Sequence, residues 1–226
     1  MKFLGISLAV SLTFALPEKL TTNLELALSE KPWSPLANLL SDVLPTVSIP
    51  TLLSPASLDH EGYTVAPTSP LVQELHFTNA DDRTMFWYPQ GVTSSADSLS
   101  TGGTDAILTS WYTRITKGVR IGFHDPTTNH YVYALLVEPT ATTDGSASFK
   151  ATKGLHAGGI MWYGTKLYVV DTSAGIRIFD MSKILKVTVG SGIGKNGDTY
   201  TAHKYKQISP PHAQMRLTRK LTAAAA

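Results

Sequence analysis

His156 is the residue of this sequence whose type and setting are best suited to chemistry. It lies in the string Leu-His-Ala-Gly-Gly at residues 155–159, directly before an apolar run that predicts a strand. A histidine at the start of a strand that lines a binding cavity could contact a ligand, or could gain and lose a proton during a reaction. The structural alternative is a histidine in a turn, where the glycines give the backbone its freedom. His156 is therefore a candidate ligand-binding residue and the candidate acid or base of an enzyme.

Trp162 and Asp171 are further candidates for ligand binding, each with a structural alternative. Trp162 belongs to a set of recurring Trp-Tyr pairs, which also occur at residues 87–88 and 111–112. Aromatic rings of this kind could stack on sugars, although the commoner role of such rings is to fill a core. Asp171 follows a predicted strand, and an Asp in that position commonly caps a turn by bonding its own backbone.

His124, Asp125 and His130 are weak candidates for a metal site of mixed imidazole and carboxylate ligands. Their spacing matches no compact metal-binding motif, so we expect no metal. The sequence contains no cysteine, which excludes disulfides, thiolate metal sites and cysteine nucleophiles.

A glycine-rich string at residues 190–197 resembles a phosphate-binding loop but does not fit one. Val189 stands where the first glycine of that motif is required, and Asn196 follows the lysine in place of Ser or Thr. A dinucleotide fingerprint fails as well, because Lys195 replaces its third glycine. We therefore expect a hairpin loop and no cofactor.

Two segments repeat one pattern of a glycine, a β-branched residue, Arg, Ile, an aromatic residue and Asp. They occupy residues 118–125 and 175–180, and each follows an apolar run. Residues 89–93, which include Gln90, hold the place in the first repeat that residues 157–161 hold in the second, so Gln90 is a candidate ligand-binding residue too. The two segments begin 57 positions apart, and repeats of about this length that consist of short strands are typical of β-propellers. Arg120 and Arg177 recur at one position, which favours a bond to a neighbouring blade or turn for both.

The first sixteen residues are typical of a secretory leader. Lys2 precedes an apolar stretch of about 14 residues, which is shorter than the ~20 that span a membrane, and small residues precede a cleavage point after Ala15. An N-terminal core helix or anchor is the alternative. Residues 17–80 are rich in proline, with Leu-rich stretches at 20–28 and 36–44 that predict short helices.

The composition does not favour a nucleic-acid or acidic partner, because the formal net charge is only +2. The one local excess lies at residues 195–220, where six Lys or Arg residues accompany a single Asp. A contact with a polyanion is conceivable there, but a solvated tail is the commoner meaning of such a segment.

Several of these segments together resemble a family of secreted, β-propeller-like proteins of filamentous actinobacteria and fungi. The resemblance covers about residues 85–210 and is carried by the strings at 87–93, 131–139, 155–164, 167–172 and 175–180. It implies a secreted propeller. No catalytic residues are established for the family, so none is carried over to this chain, and the segment 215–226 departs from the family's pattern.

The sequence thus predicts a mainly β protein, a partial propeller of about two blades preceded by a Pro/Leu-rich arm with short helices. We expect a signal peptide at 1–15, an N-terminal arm or pro-region at 16–80, a propeller-type repeat domain at 81–210 and a tail at 211–226. Two blades leave apolar edges and unpaired strand groups, so we expect either a fragment of a longer protein or closure by self-association, and the Ala-rich end favours truncation.

We expect an extracellular ligand-binding or scaffold protein whose partner is a small molecule or polysaccharide, with no nucleic acid and no membrane after cleavage of the leader. The alternative is a secreted propeller hydrolase or lyase acting on sugars or lactones, with His156 as acid or base. Propellers host both functions. The sequence offers few acidic residues to accompany His156, since Glu138 is the one Glu after residue 74, and this favours binding.

Overall fold

The structure is a computed structural model that describes residues 24–32, 35–62, 74–99, 104–115, 118–173 and 175–221, with side chains for all of these except 24–32 and 216–221. The predicted signal peptide at 1–15 and the segment 63–70 of the arm lie outside the described residues. The larger compact unit of the chain is Glu30–Arg216. In the smaller unit, the described residues are 24–29 and 217–221, and they are strand segments.

The fold is mainly β, as predicted, with 48% strand and 13% helix. The elements before residue 87 are β1 (Leu24–Pro32), α1 (Leu36–Val43), β2 (Thr46–Val47), α2 (Ile49–Leu52), β3 (His60–Glu61) and α3 (Asn79–Asp82). The strands that follow are β4 (Trp87–Ser94), β5 (Ile107–Thr113), β6 (Val119–Asp125), β7 (His130–Ala141), β8 (Ala147–Ala151), β9 (Ile160–Tyr163), β10 (Lys166–Asp171) and β11 (Gly175–Asp180). The last strands are β12 (Ile184–Lys186), β13 (Ile193–Asn196), β14 (Thr199–Ala202), β15 (Gln207–Ser209) and β16 (Pro211–Leu221). Short 3₁₀ helices occupy Ser95–Asp97 and Met181–Lys183.

The strands of the larger unit form two sheets and a hairpin. In the first sheet the order is β2, β12, β15, β7, β6, β5, β4, and β3 and β8 also pair with β7. Strand β15 lies parallel to β7, while β4 to β7 form an antiparallel meander in chain order. In the second sheet β9, β10, β11 and β16 are successive antiparallel neighbours, and β13 pairs with β14. The described residues show no closed barrel and no closed ring of blades.

The two sheets pack against each other through one apolar core. Leu108, Ile121 and Phe123 of the first sheet belong to the same buried cluster as Val169 and Phe179 of the second. Side chains alternate between the two faces of a strand, so each strand turns every second residue towards this core. The helix α1 predicted at 36–44 packs on a second cluster through Leu40, which is fully buried.

The structure differs from the sequence prediction at both ends of the chain. Residues 24–32 form β1, so the helix predicted at 20–28 is wrong for the residues described. Leu24, Leu26 and Leu28 alternate with other residues, and this period of two outweighs the sparser helical spacing. At the other end, residues 211–221 form β16, where the sequence predicts a tail. The described helices do not include one with the length and apolarity needed to cross a bilayer.

The contact between the two sheets should supply a large part of the stability. Phe179→Ala is expected to lower the free energy of unfolding by about 3–5 kcal/mol, since it opens a cavity in a site that is fully buried. Phe86 is 53% exposed, so Phe86→Ala is the matched control and should change stability by about 0.5 kcal/mol or less. Urea unfolding followed by tryptophan fluorescence measures both values, and equal losses would contradict this view of the core.

Candidate functional site

The edge strands β4 and β9 meet where the two sheets come together. Strand β4 carries a bulge, because Pro89 pairs with Trp111 and Val92 pairs with Thr109, which leaves two residues opposite Ser110. A Cβ atom at Gly91, within the bulge, would lie 3.2 Å from the Gly158 carbonyl oxygen. The absence of a side chain at Gly91 thus permits a close approach of the two backbones.

Ser110 ties the two strands together with one buried hydroxyl. Its Oγ accepts a hydrogen bond of 2.9 Å from the Gly91 N–H and donates one of 2.7 Å to the Ala157 carbonyl. Gly91 follows Gln90, and Ala157 follows His156. The structure therefore brings two of the predicted ligand-binding residues, Gln90 and His156, to the same junction between the sheets.

His156 begins a row of adjacent side chains, here called the aromatic ladder, formed by His156, Tyr112, Tyr88 and Arg114. The imidazole stacks on the Tyr112 ring with centroids 4.5 Å apart and planes inclined by 25°. The ring centroids of Tyr112 and Tyr88 lie 5.4 Å apart with the planes tilted by 34°, and the Arg114 guanidinium carbon lies 5.5 Å from the centre of the Tyr88 ring. His156 and Arg114 are exposed, so the ladder presents its ends to solvent.

Gln90 is exposed on the bulge beside the ladder. Its side-chain amide donates a 2.8 Å hydrogen bond to the carbonyl of its own neighbour, Pro89. This bond is solvent-exposed, and an exposed amide can exchange such a bond for one to a ligand at little net cost. Gln90 can therefore act as a polar contact next to stacked rings.

Trp162 lies apart from the ladder and is buried in the core between the sheets. Its indole N–H donates to the Gly164 carbonyl at 2.9 Å, and its backbone N–H donates to Thr93 Oγ1 at 3.1 Å. The ring forms one wall of a mostly apolar pocket of about 200 Å³, whose other walls include Ile49 and Met181. The indole thus holds β9 against β4 while one part of it faces this pocket.

Asp171 is held in a buried ionic network. Its carboxylate accepts 2.8 Å and 2.9 Å bonds from Arg177 Nε and the Ser173 hydroxyl, and Arg177 Nη1 continues to Glu138 Oε1 at 2.7 Å. Burial alone would raise the pKa of Asp171, but the bonds from Ser173 and Arg177 outweigh it and lower that pKa. Because Glu138 belongs to β7 and Arg177 to β11, the network links the two sheets.

The three weak metal candidates do not converge. Side chains alternate along β6, so His124 and Asp125 leave opposite faces, and Asp125 caps its turn by accepting from the Thr127 N–H and the Thr128 hydroxyl. His130 lies opposite Asp125 in the register, and its Nδ1 contacts the Thr128 carbonyl at 2.9 Å. No group of three His, Cys, Asp or Glu side chains within the described ranges could hold a metal ion.

Ser110 and Arg114 are the site residues that the sequence analysis missed. Ser110 is a small polar residue directly before the Trp111-Tyr112 pair of β5, and a polar residue inside a buried strand needs a hydrogen-bond partner. Tyr88 and Tyr112 were noted as repeated aromatic residues, but their stacking with His156 depends on the approach of two strands more than 60 positions apart. No signal in a single sequence shows that approach.

No protein-family model, curated protein or solved structure matches the chain.

The buried His124 should make stability depend on pH. Burial lowers the pKa of His124 to about 4; the Asp81 carboxylate opposes this shift in part, and His60 adds a smaller lowering. The unfolded chain takes up this proton near pH 6.5. Between these two values the unfolded state binds more protons, so the free energy of unfolding falls by about 1.4 kcal/mol for each pH unit as the pH drops from 6.5 towards 4.

The variant His124→Phe keeps an aromatic ring against Tyr131 and removes the titrating group. We expect its free energy of unfolding to vary less with pH across that window than the wild-type value does. The control His130→Phe alters a more exposed ring and should keep the wild-type slope. Urea denaturation at a series of pH values gives the slopes, and equal slopes for wild type and His124→Phe would refute the assignment.

Proposed function

We propose that this protein is a secreted binding or scaffold protein of the β-propeller type, akin to the secreted family that its sequence resembles. It holds an extracellular saccharide or related small molecule on the aromatic ladder. The observation that carries this proposal is the ladder itself, a row of adjacent rings with a polar amide beside it at the junction of two sheets.

The order of the strands supports the propeller assignment. Strands β4 to β7 and β9 to β11 each run as an antiparallel meander in chain order, which is the arrangement within a propeller blade. The repeated Gly-x-Arg-Ile pattern falls on the third strand of each meander, β6 and β11. The first strands of the two meanders, β4 and β9, approach each other, as innermost strands of neighbouring blades do around a channel.

The chemistry of the ladder supports a saccharide as the ligand. Sugar rings present apolar C–H faces and a rim of hydroxyl groups, so they bind where an aromatic ring and a polar side chain lie side by side. The two edge strands offer further exposed side chains around the junction, namely Val92, Met161 and Tyr163. An exposed cluster of apolar groups on edge strands is typical of an interaction surface.

Binding is better supported than catalysis at this site. Acid–base chemistry on a sugar commonly uses a pair of carboxyl groups, or a histidine oriented by a carboxylate. Within the described part of the chain no Asp or Glu oxygen lies within 4 Å of a His156 ring nitrogen. The histidines that do lie so close to a carboxylate there are His60, His76 and His130. His156 stacks on Tyr112 instead, which suits a contact surface.

Truncation of the ladder should weaken saccharide binding. Tyr88→Ala and His156→Ala are each expected to raise the dissociation constant about 2- to 10-fold, which corresponds to 0.5–1.5 kcal/mol for one stacked ring. Affinity electrophoresis in gels containing soluble xylan, β-glucan or galactomannan measures the retardation. His212→Ala removes an exposed imidazole from β16 and should leave retardation unchanged.

Two results would overturn the binding assignment. One is the absence of retardation by each of the three polysaccharides, or retardation that both ladder variants retain in full. The other is turnover of a sugar or lactone by the wild-type protein that His156→Ala abolishes, which would replace a binding role with an enzymatic one.

Secretion is tested separately from binding. Cleavage after Ala15 should yield a mature chain that begins near residue 16, because the small residues before this point suit a signal peptidase. Expression of the full chain in a secreting host, followed by N-terminal sequencing of protein from the medium, gives the answer. A chain in the medium that starts at Met1, or retention within the cells, would count against a cleaved leader.

A further inference from the structure

A cleft lies on the face of the first sheet that points away from the core between the sheets. It holds a cluster of charged and aromatic side chains that the proposed function does not use. It has a volume of about 210 Å³ and is lined by Asp59, His60, Arg120, Tyr133 and residues 203–206. Arg120 comes from β6, Tyr133 from β7 and His60 from β3, while residues 203–206 form the turn that joins β14 to β15. The elements that build it are therefore separate from the β4–β9 junction.

Arg120 is buried at the base of the cleft and is only partly bonded. Its Nη2 donates to Asp81 Oδ1 at 2.7 Å, and its guanidinium carbon lies 3.7 Å from the Tyr133 ring centre and 4.4 Å from the Trp87 ring. The residue is 6% exposed. Its Nε, however, has no hydrogen-bond partner among the described residues, and such a buried charged donor is costly to leave unpaired.

Tyr133 brings a second unpaired donor to the same wall. The residue is 3% exposed, and its hydroxyl lies near the Asp81 carboxylate without forming a hydrogen bond within 3.5 Å to a described residue. Burial raises the pKa of Tyr133, so the phenol keeps its proton at neutral pH and remains a donor. Buried polar groups without partners are rare in folded proteins and call for an explanation.

The rim of the cleft is a strained turn that carries positive charge. His203 and Lys204 both have left-handed backbones, with φ of 49° and 72°, a conformation that costs energy for residues other than glycine. Their N–H groups are fixed by the carbonyls of Gly192 and Gly190 at 2.7 and 2.6 Å. Lys204 is exposed and has no acidic partner within 4 Å among the described residues, whereas Lys206 pairs with Asp59 at 3.0 Å.

The charges and the size of the cleft define the ligand. Three permanent cations, on Arg120, Lys204 and Lys206, face Asp59 at the rim and Asp81 behind Arg120. The volume lies below the range of about 300–1,000 Å³ that is usual for drug-sized ligands. A compact anion that accepts several hydrogen bonds suits these donors.

We propose that this cleft is a binding site for a small oxyanion, namely phosphate, sulfate or a carboxylate group, whether free or at the end of a larger molecule. Lys204 binds the anion from the rim, and Tyr133 and Arg120 supply donors from the wall. A purely structural role for Arg120 requires its ion pair with Asp81. It does not require the strained turn at His203 and Lys204, nor does it explain why Arg120 Nε and the Tyr133 hydroxyl lack hydrogen-bond partners in the described part of the chain.

The test uses isothermal titration calorimetry of the full chain with sodium phosphate, sodium sulfate and sodium acetate, each at an ionic strength matched with NaCl. We expect saturable binding of at least one anion, and the anion that binds identifies the oxyanion group. Lys204→Ala and Tyr133→Phe should each weaken this binding about tenfold, as loss of a hydrogen bond to a charged group does.

The controls separate binding from folding and from net charge. Tyr133→Phe removes a hydroxyl without a hydrogen bond, so the variant should unfold at a temperature no lower than wild type. Lys153→Ala removes one exposed positive charge elsewhere, and Tyr163→Phe removes an exposed hydroxyl; both should bind as wild type does. The proposal is overturned if no anion binds saturably, or if binding is unchanged in both cleft variants. Neither outcome bears on saccharide binding at the aromatic ladder.

Discussion

The alternation of side chains along β6 is the constraint that separates the core between the sheets from the cleft around Arg120. Val119, Ile121 and Phe123 enter the core between the sheets, so the residues between them must face the other way. Arg120 and His124 are therefore placed under the aromatic cluster of Trp87, Trp111, Tyr131 and Tyr133. Because β6 is buried on both faces, a slip of one residue in its register would put a guanidinium into the apolar core.

A buried arginine needs compensation, and the fold supplies it differently for Arg177 and Arg120. Arg177 lies between Asp171 and Glu138, and two carboxylates take its Nε and Nη1. Arg120 has Asp81, and aromatic faces take the place of a second carboxylate. Burial alone would lower the pKa of Arg120, but Tyr133, Tyr205 and Asp81 raise it. The side chain stays charged, so its unpaired Nε is a real cost to the folded state.

Much of the fold could be predicted from the sequence, because most of its longer strands coincide with local patterns of apolar and turn residues. Strands β5, β6, β7, β10 and β11 lie where apolar runs and turn residues predicted them, and α1 follows its Leu spacing. The return of β12 and β15 to the first sheet was not foreseen. These strands have three residues each and pair with partners that lie far away in the chain, and local patterns carry no information on such pairings.

The candidate site was predictable only in part for the same reason. His156 is predicted from its position before a predicted strand and Gln90 from its place in the repeat, and the structure brings them to one junction. Trp162, a candidate from the recurring Trp-Tyr pairs, and Asp171, a candidate from its position after a strand, are both buried. The sequence does not show that Arg177 lies beside Asp171. The basic excess at 195–220 was noted, yet its meaning depends on the turn at 203–206, which carries two of those lysines over Arg120.

The two sites lie on opposite faces of one sheet, and this arrangement has a consequence for how they can act together. The ladder uses Tyr112 of β5, whose ring belongs to the core between the sheets, while the neighbouring Trp111 faces the cluster above Arg120. No side chain belongs to both sites, and effects at sites without shared partners usually add. Any coupling between the sites would have to pass through the backbone of β5 and β6. Both strands form backbone hydrogen bonds with a neighbouring strand on each side, so this route is stiff. A single ligand could contact both sites only by passing around the edge of the sheet.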